Sequence, residues 1–170
     1  MTPILGIDPG LSGALALYHP DAAQPLKIYP MPTHTKTTTK GAKKKILDCR
    51  AVVNWVDLHV PADTHVYLEA PTARPGQGVT SMFTFGKVCG MLEMAIVAAG
   101  LRLTLVSPVQ WKRAMGLSAD KDQARRRASQ LFPLYVDQWS KTSEDGKAEA
   151  ALLAYYGSRW ESGSGGAGLT

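Results

Sequence analysis

Between Pro3 and Tyr29 the chain has no room for a helix, and this constrains its fold more than any other feature. Pro3–Ile7 is a short apolar run stopped by Asp8-Pro9-Gly10, a turn signal. Gly13–Tyr18 follows after a brief loop, so the two runs pair as a hairpin, and Leu26–Tyr29 adds a third strand. Residues 30–45 (PMPTHTKTTTKGAKKK) have no apolar periodicity and are expected to form an exposed loop. Ile46–His59 then carries apolar residues at helical spacing, Val66–Leu68 reads as a fourth strand running into Glu69, and Pro71–Gly78 is a loop. Ser81–Ala99 is the strongest helix, with Met82, Phe85, Val88, Leu92 and Ile96 on one stripe and Gly100 as its stop. On that stripe Phe85 reads as core. Leu101–Val106 is a fifth strand. Helices at Val109–Ala114 and Lys121–Leu131, a loop after Pro133 and a last helix over about Glu144–Trp160 complete the pattern. Three strands without intervening helices, then alternating strands and helices, predict an α/β domain with a mixed sheet and helices on its faces.

The length of 170 residues suits one domain, expected over 1–160, with the Gly/Ser-rich end 161–170 as a flexible tail. A chain of this size buries a sufficient core without staples. Cys49 and Cys89 are too few for a disulfide framework or a zinc site, which points to a reducing compartment. No signal peptide is visible at the start, and the apolar stretch Val88–Leu101 is short for a membrane span and carries Glu93. The expectation is a cytoplasmic protein with no membrane partner.

Carboxylates stand at three places that such a fold can bring together. Asp8 ends the first strand and Glu69 the fourth, so if these strands are neighbours the two acids lie side by side at one sheet rim, where α/β sites are usually built. Asp145 and Glu149 share a face of the last helix, above the apolar stripe of Leu152, Leu153 and Tyr156. Clustered acids of this kind suit metal-assisted phosphodiester hydrolysis, in which hard Mg²⁺ or Mn²⁺ ions take oxygen ligands and activate water. Three of these acids also have a structural alternative: Asp8 shaping its turn, Glu69 a solvated strand end, Asp145, with Glu144, serving the helix start after Ser143. Glu149 is harder to dismiss because it sits above the apolar stripe.

The same residues carry a family likeness. Ile4-Leu5-Gly6-Ile7-Asp8-Pro9-Gly10, followed by Ser12-Gly13, resembles the opening of RuvC-type Holliday junction resolvases of the RNase H-like superfamily. Val66-Tyr67-Leu68-Glu69 resembles their second acidic strand, and Gln77-Gly78…Ser81…Phe85-Gly86…Gly90 the start of their long helix. Ser107-Pro108…Trp111-Lys112, Asp120-Lys121 and Asp145-Gly146-Lys147-Ala148-Glu149-Ala150 resemble later segments, so the likeness runs from residue 3 to 157 and is similar to the phage or prophage branch. It implies an RNase H-like fold with a five-stranded mixed sheet, three antiparallel strands then two parallel. It also implies a homodimer that cuts four-way DNA junctions by paired symmetric nicks, with two Mg²⁺ ions per site for which Mn²⁺ substitutes. Asp8, Glu69 and Glu149 map onto the family's metal-binding acids. The family's final two acids stand three residues apart, but Gly146 occupies that position, so Asp145 is assigned instead and Glu144 is its reserve. Lys112 and Lys121 fall where the family keeps lysines near the scissile phosphate; each also reads as an ordinary surface lysine. Some members carry a junction-probing aromatic just after the second acid. Here Ala70-Pro71-Thr72-Ala73 follows Glu69, and Phe83 is the candidate for that role.

The formal charge is +5, and its basic part is clustered. Lys36, Lys40, Lys43, Lys44, Lys45 and Arg50 crowd one segment against the single acid Asp48, Arg125-Arg126-Arg127 forms a second group, and Arg74 follows Glu69. Lys36, Lys40, Lys43, Lys44, Lys45, Arg74, Arg125 and Arg126 are the expected DNA contacts. The pair Gly86 and Gly90 on the long helix allows a close contact, inside the domain or at a dimer interface. Three other functions compete with the junction enzyme. One is an RNase H-like nuclease of broader specificity, acting on branched DNA, RNA–DNA hybrid or structured RNA. Another is a non-catalytic junction-binding module. The third, a sugar-kinase or actin-like nucleotide binder, needs a second lobe for which there is no room, so no nucleotide cofactor is expected.

Overall fold

Side-chain alternation along the first strand decides which layer each residue joins. The computed structural model describes residues 1–39, 41–72, 76–118 and 121–161. Its strands are β1 (Ile4–Asp8), β2 (Ala14–Tyr18), β3 (Leu26–Pro30), a detached pair β4 (Thr33–Thr37) and β5 (Lys43–Leu47), then β6 (His65–Glu69) and β7 (Arg102–Val106). The main sheet has the order β3-β2-β1-β6-β7. β1, β2 and β3 pair antiparallel, and β6 and β7 extend the sheet in parallel, as expected. Leu5 and Ile7 enter one core cluster with Val66 and Leu68, while Ile4 and Tyr67 enter the other. Gly6 and Asp8 therefore share the face of Ile4, and Glu69 the face of Tyr67.

Among the described residues five α-helices cover the two faces: α1 (Cys49–His59), α2 (Val79–Ala98), α3 (Pro108–Ala114), α4 (Lys121–Leu131) and α5 (Asp145–Glu161). α1 and α2 pack on the Leu5 face through Val52, Trp55, Val56, Val88, Leu92 and Ile96. α3, α4 and α5 lie on the other, with Trp111, Ala128 and the run of small residues at Ala148, Ala150, Ala151 and Ala154 fully buried. The contact of α5 with β1 is unusually close. A Cβ on Gly6 would lie 2.2 Å from the carbonyl oxygen of Ala150 and 2.4 Å from the nitrogen of Ala154, so no larger residue fits there. α2 is long and apolar enough to cross a membrane by length and composition. One stripe of it is buried in the core, while Phe83, Met94 and Val97 are exposed.

The structure departs from the sequence reading in four places. The expected loop over 30–45 contains most of a two-stranded ribbon, β4–β5, with Thr35 opposite Lys45 and Lys36 opposite Lys44. Alternating β-branched threonines favour it, and Gly41 turns it at φ +77°. The next helix begins at Cys49 rather than Ile46, because Ile46 and Leu47 complete β5 and Asp48 caps the helix by accepting from the Ala51 N–H at 3.0 Å. After Pro133 the chain forms two 3₁₀ helices, Pro133–Trp139 and Thr142–Glu144. Buried Trp139 anchors the first, its indole donating to Ser129 Oγ at 3.0 Å. The last helix includes Glu161, which was expected in the tail; the remainder, 162–170, lies outside the described residues.

Candidate active site

Register brings the first two acids together. Ile7 of β1 stands opposite Leu68 of the parallel strand β6, so Asp8 and Glu69 end neighbouring strands at one rim and on the face that α5 covers. The Asp8-Pro9-Gly10 turn is closed locally: the Gly10 N–H donates to Asp8 Oδ1 at 3.3 Å and the Gly13 N–H to the Gly10 carbonyl at 2.8 Å. Asp8 thus shapes its turn and faces the site at once. α5 reaches this rim because Gly146 has no side chain. A Cβ there would lie 2.5 Å from the Ser12 carbonyl oxygen and 2.8 Å from Asp8 Oδ2. The position where the resembling family keeps an acid is therefore filled by close backbone packing.

Glu149 follows on α5 and completes a shared acidic field. The Asp8 carboxyl is pushed up to about 7 by burial first, then by the charges of Glu149 and Glu69. The Gly10 N–H and Lys112 oppose the rise. Two consecutive residues of α3 hold the other acids. Buried Trp111 donates its indole N–H to Glu69 Oε2 at 2.8 Å, and Lys112 Nζ donates to Glu149 Oε1 and Oε2 at 3.0 Å each. The Lys112 ammonium also sits 5.2 Å from the Trp111 ring centre. The site role of Trp111 was missed in the sequence. Its only cue is its place beside Lys112, since successive helix residues point about 100° apart and reach different partners.

The remaining candidates divide. Asp145 shares α5 with Glu149, and its Oδ1 accepts from the Gly146 N–H at 3.0 Å. Glu144 fastens the helix start, accepting from Lys147 Nζ at 3.1 Å and from the Lys141 N–H at 3.2 Å, bonds that hold its carboxyl below the ordinary range. Lys36, Lys43, Lys44 and Lys45 are exposed on the β4–β5 ribbon, and Lys44 Nζ donates to Thr84 Oγ1 of α2 at 3.3 Å. Phe83 projects from α2 at 73% exposure. Phe85, expected in the core, is only half-buried and lines a small pocket with Glu69, Gln77 and Pro108. Arg125 pairs with Asp122 and donates to the Ser140 carbonyl at 3.1 Å, Arg126 is exposed, and Arg127 donates to Gln130. Lys40, Arg74 and the side chain of Lys121 lie outside the described residues.

Hard oxygen donors from three segments, one of them raised to about 7 by burial and then by the charges of the other two, match a divalent cation such as Mg²⁺ or Mn²⁺ in charge and donor type. Among the described residues no three His, Cys, Asp or Glu side chains are drawn into a closed ligand set, and Lys112 supplies the cationic charge on Glu149.

The sequence matches no protein-family model and no curated protein. Solved structures do resemble it. Thermus thermophilus RuvC in complex with a Holliday junction substrate aligns with a TM-score of 0.64 at 16% identity, covering 96% of this chain and 98% of that one. A second Thermus thermophilus RuvC structure aligns with a TM-score of 0.60 at 15% identity, over 96% and 98% of the two chains. At these identities the likeness shows the fold: the chain has the RuvC, RNase H-like architecture.

Proposed function

We propose that this chain is a divalent-metal-dependent endonuclease that resolves four-way DNA junctions by paired symmetric nicks. The observation that carries it is the meeting of Asp8, Glu69 and Glu149 at one rim of a RuvC fold, where burial and then the charges of Glu149 and Glu69 push the Asp8 carboxyl up to about 7. Asp8, Glu69 and Glu149, with Asp145 beside them, would hold two Mg²⁺ ions, or Mn²⁺ in their place. Bound there, such ions supply an activated water and stabilise the leaving oxygen. The chain's own groups position the rest. Trp111 fixes the orientation of Glu69 through its N–H, and Lys112 offsets the charge of Glu149 beside the scissile phosphate, where Lys121 also belongs. The ribbon lysines Lys36, Lys40, Lys43, Lys44 and Lys45, with Arg74, Arg125 and Arg126, hold the phosphate backbone and offset its repulsion from the acids. Phe83 meets the junction centre.

A second copy pairs through the exposed face of α2, where Gly86 and Gly90 leave open space beside Met94 and Val97. Two opposed sites then match the two-fold symmetry of a four-way junction. The protein acts in the cytoplasm, without a nucleotide cofactor. A broader RNase H-like nuclease is the second proposal, favoured by the absence of an aromatic immediately after Glu69.

Cleavage of labelled substrates in Mg²⁺ and Mn²⁺ tests both. Paired nicks in a four-way junction alone, lost in Asp8→Asn while binding persists, support the resolvase. Cutting of flaps, duplex or RNA–DNA hybrid moves the function to the broader nuclease. Junction binding without any cutting marks a binding module.

A further inference from the structure

Three consecutive residues of α3 grip three different partners. Gln110 donates its side-chain N–H to the Tyr156 hydroxyl of α5 at 3.1 Å, Trp111 its indole N–H to Glu69 at 2.8 Å, and Lys112 its ammonium to Glu149 at 3.0 Å. Tyr156 lies edge-on to Tyr67 of β6, their ring centres 6.3 Å apart, so Gln110 sits on the seam of α5 and β6 that ends at the acidic rim. With Trp111 fully buried as well, α3 is fixed at this seam independently of Lys112.

The two grips on the acids differ in kind. Trp111 takes one oxygen of Glu69, Oε2, and being neutral leaves its charge in place. Lys112 takes both oxygens of Glu149, at 3.0 Å each, and brings a full positive charge to them. Both members of this pair are half-buried, so salt screens it less than a pair on an open surface. The same ammonium also acts on the Asp8 carboxyl. A divalent cation ligated by Glu149 needs an oxygen that Lys112 holds, and two cations that close repel each other. The ammonium is carried on a flexible stem, and its contact with the Trp111 ring at 5.2 Å does not depend on Glu149. It can leave Glu149 without movement of α3.

We infer that Lys112 is the resident counter-ion of Glu149, displaced by the divalent cation and thereby freed to meet the scissile phosphate. The inference rests on the proposed metal-dependent cleavage of DNA and adds an order of events to it. Ion entry at Glu149 and release of Lys112 are one exchange. By linkage, a phosphate that holds the freed ammonium strengthens ion binding, and the ion strengthens the grip on phosphate by the same factor. The site is thereby completed only where ion and DNA backbone meet.

Mn²⁺ binding, measured by calorimetry without DNA, tests the exchange. The parent is compared with Lys112→Met, which keeps a long stem and removes the charge, and with Arg113→Met, which removes a charge from the next, exposed residue of α3. Lys112→Met should bind Mn²⁺ at least about fivefold more tightly, the share of the protein that Lys112 otherwise keeps closed. Arg113→Met should match the parent within about twofold, since an exposed charge is screened. In the parent, acetylation of Lys112 read by mass spectrometry should speed up about threefold or more in saturating Mn²⁺, while that of Lys36 on the ribbon stays constant. At saturating Mn²⁺ Lys112→Met should still cut a junction about a hundredfold more slowly than the parent. Mn²⁺ affinity unchanged or weakened in Lys112→Met, an equal gain in Arg113→Met, or Lys112 acetylation that Mn²⁺ does not speed overturns the exchange. Cutting by Lys112→Met at the parent's rate overturns the hand-over to phosphate. Acetylation is read on the parent, so the exchange stays open to disproof even where a variant fails to fold. If neither the parent nor the variants bind Mn²⁺, the metal-dependent reading fails first and the exchange with it.

Discussion

Helix α5 meets strand β6 at two places of opposite electrostatic character. At its far end Glu161 receives the His65 ring at 2.7 Å, the Arg102 guanidinium at 2.8 Å and the Tyr67 hydroxyl at 3.0 Å. Burial pulls this carboxyl up, but the three hydrogen bonds outweigh it and hold it below the ordinary range. Roughly 18 Å along the same helix, at 1.5 Å per residue, Glu149 faces Asp8 and Glu69, and the Asp8 carboxyl rises to about 7. One end brings an acid to donors; the other brings acids to one another. The first arrangement stabilises the fold as it stands. The second costs stability as it stands, because burial and the like charges of Glu149 and Glu69 disfavour the ionised Asp8 carboxylate.

The sharpest way to break this contrast is Asp8→Asn. Junction cleavage should fall by about three orders of magnitude, the scale of removing one member of a cooperating catalytic set; a variant that cuts within tenfold of the parent, where tenfold is about 1.4 kcal/mol of barrier, would show that the acidic end is not catalytic. Gly6→Ala should come next. Its Cβ forces α5 off β1, at a cost of about 1–3 kcal/mol in denaturant unfolding, and cleavage should drop with it because Glu149 moves. Gly157→Ala, whose Cβ would lie 2.5 Å from the Tyr67 ring at the far end, should cost comparable stability with less effect on cleavage per folded molecule. Glu161→Ala strands the partners of that carboxylate and should lose about 1–3 kcal/mol, again with cleavage per folded molecule preserved. A parallel collapse of activity would mean that the two ends are not independent.

The smallest effects separate the ends by pH and salt. Asp8 binds its proton more tightly when folded, so its contribution to stability is complete below its unfolded value of 3.8 and is lost as pH rises through about 7. Glu161 is depressed, so its contribution is present above its unfolded value of 4.5 and is lost as pH falls through the lower folded value. Metal-free Asp8→Asn should therefore gain more stability at pH 8 than at pH 5, whereas the cost of Glu161→Ala should shrink towards acid. Equal pH profiles for the two variants would contradict the assignment. Saturating Mg²⁺ should raise the melting temperature of the parent at pH 8 and not that of Asp8→Asn. Lys43→Ala on the ribbon should weaken junction binding modestly and lower the salt slope by about 1.

Most of the sheet was legible because its strands are apolar runs cut off by Asp8-Pro9 and by Glu69-Ala70-Pro71, and those cuts are also where the two rim acids stand. Glu149 was legible because it tops the stripe of Leu152, Leu153 and Tyr156. The ribbon was not, since both of its faces are largely polar and its pairing shows only in alternating threonines. Trp111 was hidden for a different reason: its bond to Glu69 depends on where α3 docks across the end of β6. Glu161 looked like part of a tail because its neighbours in sequence are Gly and Ser, yet the residue that orders it, His65, is 96 positions away. Local composition carries no trace of such a contact.

The β4–β5 ladder closes on itself and shares no strand with the main sheet. Its roots are a backbone bond from the Asp48 N–H to the Pro32 carbonyl at 2.9 Å and the burial of Leu47. The segment from His34 to Ile46 is in this sense a cassette, outside the β1–β6 register that sets Asp8 beside Glu69. A graft that replaces it and keeps Pro32, Leu47 and Asp48 would change the lysine-bearing surface while the register of β1 with β6, which sets Asp8 beside Glu69, stays as it is.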